Sequence, residues 1–162
     1  MKKMKVLVPI DGTETSMHSL RQLKKLFNAD NVDVTLMYVA EIIITGEMLE
    51  QDDMPKARNA NGDEVREIVI NQDFSTTVSS IKALKEGYEP ILDKALEEIE
   101  DFNVEKFIDI GYAADRIVKK AKKDKFDMII MSKSNKKGLS RMLGSVTSKV
   151  VKDAETVVLV VP

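Results

Sequence analysis

Hydrophobic and polar positions along this chain alternate between two periods. Val6–Ile10 is a short apolar run bounded by turn residues, the pattern of a strand buried on both faces. Met17, Leu20, Leu23, Leu26 and Phe27 then recur at helical spacing, with Arg21, Lys24 and Lys25 on the other side. Thr13 or Thr15 is placed to cap that helix through its hydroxyl. Val32–Val39, rich in β-branched residues, predicts a second strand. A second helix carries Leu84, Tyr88, Ile91, Leu92, Ala95 and Ile99, and Pro90 inside it is expected to kink it or mark a restart. Val104–Ile110 predicts a third strand, closed by Gly111. Ile117, Val118 and Ala121 mark a third helix whose polar side is Lys119, Lys120, Lys122 and Lys123. Then follow a strand over Asp127–Met131, a loop, a helix from about Leu139 to Lys152, and a last strand, Val157–Val161.

This alternation predicts an α/β fold: a single open five-stranded parallel sheet with helices on both faces and right-handed crossovers. The chain of 162 residues is read as one domain, 1–162. The segment 41–80 breaks the rhythm. Gln51-Asp52-Asp53-Met54-Pro55 is a breaker cluster, Asn61-Gly62 is a tight-turn signal, and Val65, Ile68 and Ile70 are spaced for a short strand after it. The segment is an insertion, either irregular or a β-hairpin.

Composition narrows the chemistry. Hydrophobic residues make up 43% and charged residues 32%, with a net charge of −2, so no long-range field favours nucleic acid or an anionic membrane. The lysine run on the third helix has no aromatic platform beside it and reads as a solvated face. No apolar stretch reaches the ~20 residues of a membrane span. The absence of cysteine excludes disulfides, thiolate metal sites and a cysteine nucleophile, and it fits a reducing cytoplasm. His18 is the only histidine and has no triad or metal cluster around it, which favours a structural role. A metal site would have to come from carboxylates, with at most this one imidazole. No positioned general base and no Walker-type lysine loop are present, which argues against an enzyme.

Two loops carry the candidate chemistry. One follows the first strand at Asp11-Gly12-Thr13, and the other joins the fourth strand to the last helix through Ser132–Val146. In an open parallel sheet, loops leaving the carboxyl ends of adjacent strands form a ligand crevice where the connections change direction.

Val8-Pro9-Ile10-Asp11-Gly12-Thr13, Asp127-Met128-Ile129-Ile130-Met131, and Gly144-Ser145-Val146 with the closing Val157–Val161 resemble, in order and spacing, the universal stress protein family over essentially the whole chain. The resemblance implies strand order 3-2-1-4-5 in an adenine nucleotide alpha hydrolase-like sheet. It also implies homodimers paired along the last strand, Val157–Val161, and in many members ATP or AMP as ligand. The edge argument agrees on the dimer, since an apolar terminal strand at a sheet edge aggregates unless covered.

The site that the resemblance implies comprises Pro9 and Asp11, Val39 at the end of the second strand, Met131, Ser132 and Asn135, and Gly144, Ser145 and Val146. Asp11 would meet the base or ribose, the Val39 backbone the adenine edge, and Gly144 and Ser145 the phosphate. ATP-binding members resemble one another in a loop G-x2-G-x9-G-[ST]. Here Ser132 and Asn135 stand where its first two glycines fall, and the run to Gly144 is shorter by one residue. Asn135 tolerates positive φ, so a nest-like turn is retained, while a Cβ at Ser132 narrows the approach. The functional expectation is a regulatory protein binding an adenine nucleotide through a degenerate phosphate loop. The competing readings are a ligand-free homodimeric interaction module with its partner surface on 41–80 and, third, a slow ATPase or phosphotransferase.

Overall fold

The computed structural model describes residues 2–45, 66–69, 74–133 and 143–162. Its elements in chain order are β1 (Met4–Pro9), α1 (Glu14–Leu26), a single 3-10 turn (Ala29–Asn31), β2 (Val32–Ala40), β3 (Ile42–Thr45), β4 (Arg66–Val69), α2 (Phe74–Glu97), β5 (Asn103–Ile110), α3 (Ala113–Lys123), β6 (Met128–Ser132), α4 (Ser145–Asp153) and β7 (Val157–Val161). Five of the strands form one parallel sheet in the order β5-β2-β1-β6-β7. Numbered among themselves, these strands run 3-2-1-4-5, as expected.

The central strand shows why its sequence is apolar without alternation. Val6 and Val8 enter one core layer with Met17, Leu20 and Leu23 of α1 and Leu92 and Ala95 of α2. Leu7, between them, enters the other layer with Ala114, Ile117 and Ala121 of α3 and Val150 of α4. All three are fully buried. A strand covered on both faces has no position for a polar residue, and each such burial is worth about 1.5–3 kcal/mol.

Helix placement follows from the same layers. The chain steps outward from β1 to β2 to β5 under α1 and α2 on one face. It returns through α3 to β6 and then β7 on the other face. The direction of travel therefore reverses between β1 and β6.

Three local expectations change. Pro90 is no restart: α2 runs from Phe74 to Glu97 with Pro90 inside it on the exposed side, and its start reaches back into the segment read as an insertion. β3 and β4 pair parallel, from Ile42↔Arg66 to Thr45↔Val69, whereas a hairpin would pair them antiparallel. The Asn61-Gly62 turn lies outside the described residues. The last helix begins at Ser145 rather than near Leu139, because Gly144 has an extended backbone (φ −60°, ψ 157°) and serves as N-cap.

The two sheet edges differ in chemistry. β5 carries Glu105, Lys106 and Asp109, and Lys106 Nζ is held by Glu89 and Asp93 of α2 at 2.6 and 2.7 Å. β7 is Val-Val-Leu-Val-Val, with Val157 60% exposed. Charges on one edge discourage pairing with another strand, and the other edge carries none.

Candidate functional site

The β1–β2 ladder continues to Pro9↔Met37 and is extended by a bond from Ile10 N–H to the Met37 carbonyl at 2.8 Å. The β1–β6 ladder stops earlier, at Leu7↔Ile129. Successive residues of a parallel strand bond to opposite neighbours. With Ile10 N–H aimed at β2, the Pro9 nitrogen faces β6, where it has no proton to donate. Proline thus ends the ladder at the point where the connections reverse, and the two strands lead away to helices on opposite faces.

The loop leaving β1 is a compact turn. Asp11 Oδ1 accepts from Thr13 N–H at 2.9 Å and from the Thr13 hydroxyl at 2.6 Å, which closes an Asx-turn. Gly12 between them has φ +84°, the left-handed region that disfavours side chains. Thr13, not Thr15, caps α1: its hydroxyl oxygen accepts from Ser16 N–H at 3.3 Å, and the Ser16 hydroxyl donates to the Thr13 carbonyl at 2.8 Å. Asp11 is exposed.

On the other side of the point where β1 and β6 part, β6 keeps its ladder with β7 through Ser132↔Val161, and Lys133 N–H donates to the Val161 carbonyl at 3.0 Å. Thr147, only 5% exposed, donates from its hydroxyl to the Ser132 carbonyl at 3.1 Å. That bond ties the first turn of α4 to the end of β6. Gly144 supplies no side-chain cap, and its carbonyl accepts the Ser148 N–H at 2.8 Å, which closes the first helical turn. Ser145 and Val146 lie in that turn, where main-chain donors and the helix dipole favour an anion. Asn135 lies outside the described residues, as do Lys136, Lys137 and Arg141.

Val39 completes the arrangement. The Met37 carbonyl faces β1, and the Ala40 carbonyl faces β5, where it accepts from Gly111 N–H at 3.0 Å. The alternation therefore turns the Val39 main-chain groups to the β1 side, two residues beyond Met37 and past the end of the β1 ladder at Pro9. Met131 is buried beneath the same rim, in the layer that Val39 packs against. Pro9, Asp11, Val39, Met131 and Ser132 thus sit at the carboxyl ends of three adjacent strands, and Gly144, Ser145 and Val146 are anchored beside Ser132.

Two features nearby left no trace in the sequence pattern. The Glu41 carboxylate accepts from Ala113 N–H at 3.1 Å, at the start of α3, where Tyr112 gives no side-chain cap. Arg116 grips Asp109 with two bonds, at 2.9 and 3.0 Å. Burial pushes the Asp109 carboxyl up, but the bonds from Arg116 and from Ile110 N–H, with the Arg116 charge, outweigh it and hold the group below the usual carboxylate range. His18 is exposed on α1. Among the described residues no three acidic or histidine side chains gather as a metal cage, and no helix is long and apolar enough to cross a membrane.

Known proteins share this arrangement of strands. Universal stress protein MJ0577 of Methanocaldococcus jannaschii is 29% identical over 161 residues, covering 97% of this chain and 93% of that protein. The solved structure of MJ0577 superposes with a TM-score of 0.65 at 25% identity, covering 99% of this chain and 96% of that one. A universal stress protein solved in complex with cAMP gives a TM-score of 0.59 at 18% identity, covering 100% and 98% of the two chains. A member from Arabidopsis thaliana with AMP bound gives 0.56 at 18% identity, covering 98% and 90%. The reversal point and the strand order are those the resemblance implied, the family model described as the Universal stress protein family matches residues 3–162, and this chain belongs to that family.

Proposed function

We propose that this chain is a regulatory protein that holds an adenine nucleotide, ATP or AMP, where β1 and β6 part. The observation that carries the reading is the reversal of connections between those two strands, with their mutual ladder ending at Leu7↔Ile129. The groups around that point suit a nucleotide. Val39 offers a main-chain donor and acceptor to an adenine edge. The Asp11 carboxylate accepts from a base or ribose. The first turn of α4, at Gly144, Ser145 and Val146, suits a phosphate. The cAMP and AMP complexes of proteins with this fold support the ligand class.

Ser132 belongs to the β6–β7 ladder and has a Cβ where the family's phosphate loop has glycine, so the grip on adenosine exceeds the grip on a polyphosphate. Mg²⁺ enters only with the phosphates. The second copy pairs along Val157–Val161, the uncharged edge, and the nucleotide alters the surface of that dimer. The protein works in the cytoplasm.

Isothermal titration with ATP, ADP and AMP tests the proposal, together with mass spectrometry of small molecules released from freshly purified protein. Heat of binding and a released adenine nucleotide are expected. No heat and no rise in melting temperature at millimolar nucleotide leaves the ligand-free homodimeric module as the reading. The open β7 edge favours that alternative independently of any ligand. Turnover of ATP above background would point to the slow ATPase instead.

A further inference from the structure

We propose that Thr13 is a positioning residue for Asp11, the two acting as one unit at the crevice; this deepens the nucleotide reading and rests on it. The Thr13 hydroxyl has a single proton, and it goes to Asp11 Oδ1 at 2.6 Å. With that proton committed, the hydroxyl oxygen turns a lone pair to Ser16 N–H, the donor that the cap of α1 must satisfy. The same Oδ1 takes a second bond, from Thr13 N–H. One carboxylate oxygen is therefore held by two donors of one residue. The other, Oδ2, accepts no bond from the described residues.

An O–H···O⁻ separation this short is that of a charge-assisted bond. It fixes the Asp11 rotamer, and it leaves Oδ2 as the oxygen that receives a hydroxyl or amino group of a nucleoside. A residue without the hydroxyl would leave Oδ1 with the main-chain N–H bond alone, a weaker hold that lets the carboxylate sample other rotamers. Valine keeps the shape of threonine and lacks both hydroxyl functions; serine keeps both.

The test uses Thr13→Val, Thr13→Ser and Asp11→Ala in the full chain. Three-bond couplings from Asp11 Cγ to its own main-chain N and C′ report the Asp11 rotamer by NMR without any ligand. Wild type and Thr13→Ser should give single-rotamer values, and Thr13→Val averaged ones. In calorimetric titration with AMP, Thr13→Val should bind about tenfold more weakly, the scale of one lost charge-assisted bond, and Thr13→Ser within about twofold of wild type. In an Asp11→Ala background, Thr13→Val should weaken AMP binding no further, because the positioned group is already gone. A role limited to capping α1 predicts unchanged couplings and additive losses, and either result overturns the proposal. A wild type that takes up no AMP overturns the nucleotide reading instead, and the couplings then judge the hold of Thr13 on Asp11 by themselves.

Discussion

The same substitution should act with opposite sign at two glycines. Gly12 sits between Asp11 and Thr13 with φ +84°. A Cβ placed on it would meet only side-chain atoms of Ile91, the nearest at 3.6 Å, which is ordinary contact. Space is therefore not what requires glycine; backbone conformation is. A left-handed backbone costs an ordinary L-residue about 1–2 kcal/mol, so Gly12→Ala should destabilise by that amount. For a chain of this length each kcal/mol shifts the melting temperature by about 2–4 °C, and a fall of about 2–8 °C is expected. Asn enters the left-handed region more readily, so Gly12→Asn should cost less than Gly12→Ala although its side chain is larger. Gly87 lies inside α2, and a methyl group added there would meet nothing within 4 Å. Gly87→Ala should stabilise by about 0.5–1 kcal/mol, through helix propensity and a less flexible unfolded chain. Urea denaturation of the three variants decides the matter. If Asn proves worse than Ala at position 12, sterics rather than φ governs the turn. If Gly12→Ala is neutral, the left-handed turn that presents Asp11 is not what the folded protein contains.

Other outcomes follow from single groups. Ser19 on α1 is fully buried with no partner for its hydroxyl among the described residues, while Ser16, three residues earlier, donates to the Thr13 carbonyl. Ser19→Ala should therefore raise stability by about 1 kcal/mol and Ser16→Ala lower it by a similar amount, read from urea midpoints. Asp109 is held below the usual carboxylate range, so the unfolded chain takes up its proton first as pH falls. Its contribution is complete above the ordinary aspartate value of about 3.9 and is lost as pH falls below that through the folded value. Asp109→Asn should thus lower the urea midpoint at pH 7 and shrink the difference between pH 7 and pH 3; an unchanged difference would remove Asp109 from the acid response. On β7, Leu159 packs into the core, but Val157 and Val160 do not belong to either core layer. Lysines at Val157 and Val160 should give a monomer mass by light scattering, and a dimer mass would exclude pairing along that edge.

Much of this architecture is written in local pattern. An uninterrupted apolar run marks β1 as a strand covered on both faces. Asp11-Gly12-Thr13 signals both a turn and a cap, and in the folded chain the hydroxyl of Thr13 serves the two together. Pairing between distant segments is not local. Nothing in the periodicity of Ile42–Thr45 or Arg66–Val69 says that they lie parallel, because that depends on the path of the chain between them. The start of α4 is hidden for a different reason. Leu139, Met142, Leu143 and Val146 keep helical spacing straight through Gly144, and hydropathy does not register an extended backbone. Pro90 misleads in the opposite direction: on the exposed side of α2, loss of one main-chain donor does not require the helix to end. At the site, the strand-end residues are legible from the fold rule and the family resemblance together. The Glu41 bond to α3 and the Asp109–Arg116 pair are not, since neither has a characteristic spacing.

The most direct test is an amide-resolved NMR titration of the full chain with AMP. Shifts should concentrate on Asp11–Thr13, Val39, Ser132–Lys133 and Ser145–Thr147, with the β5 edge unmoved. No shifts at millimolar AMP, or shifts centred away from the point where β1 and β6 part, would contradict a nucleotide held there.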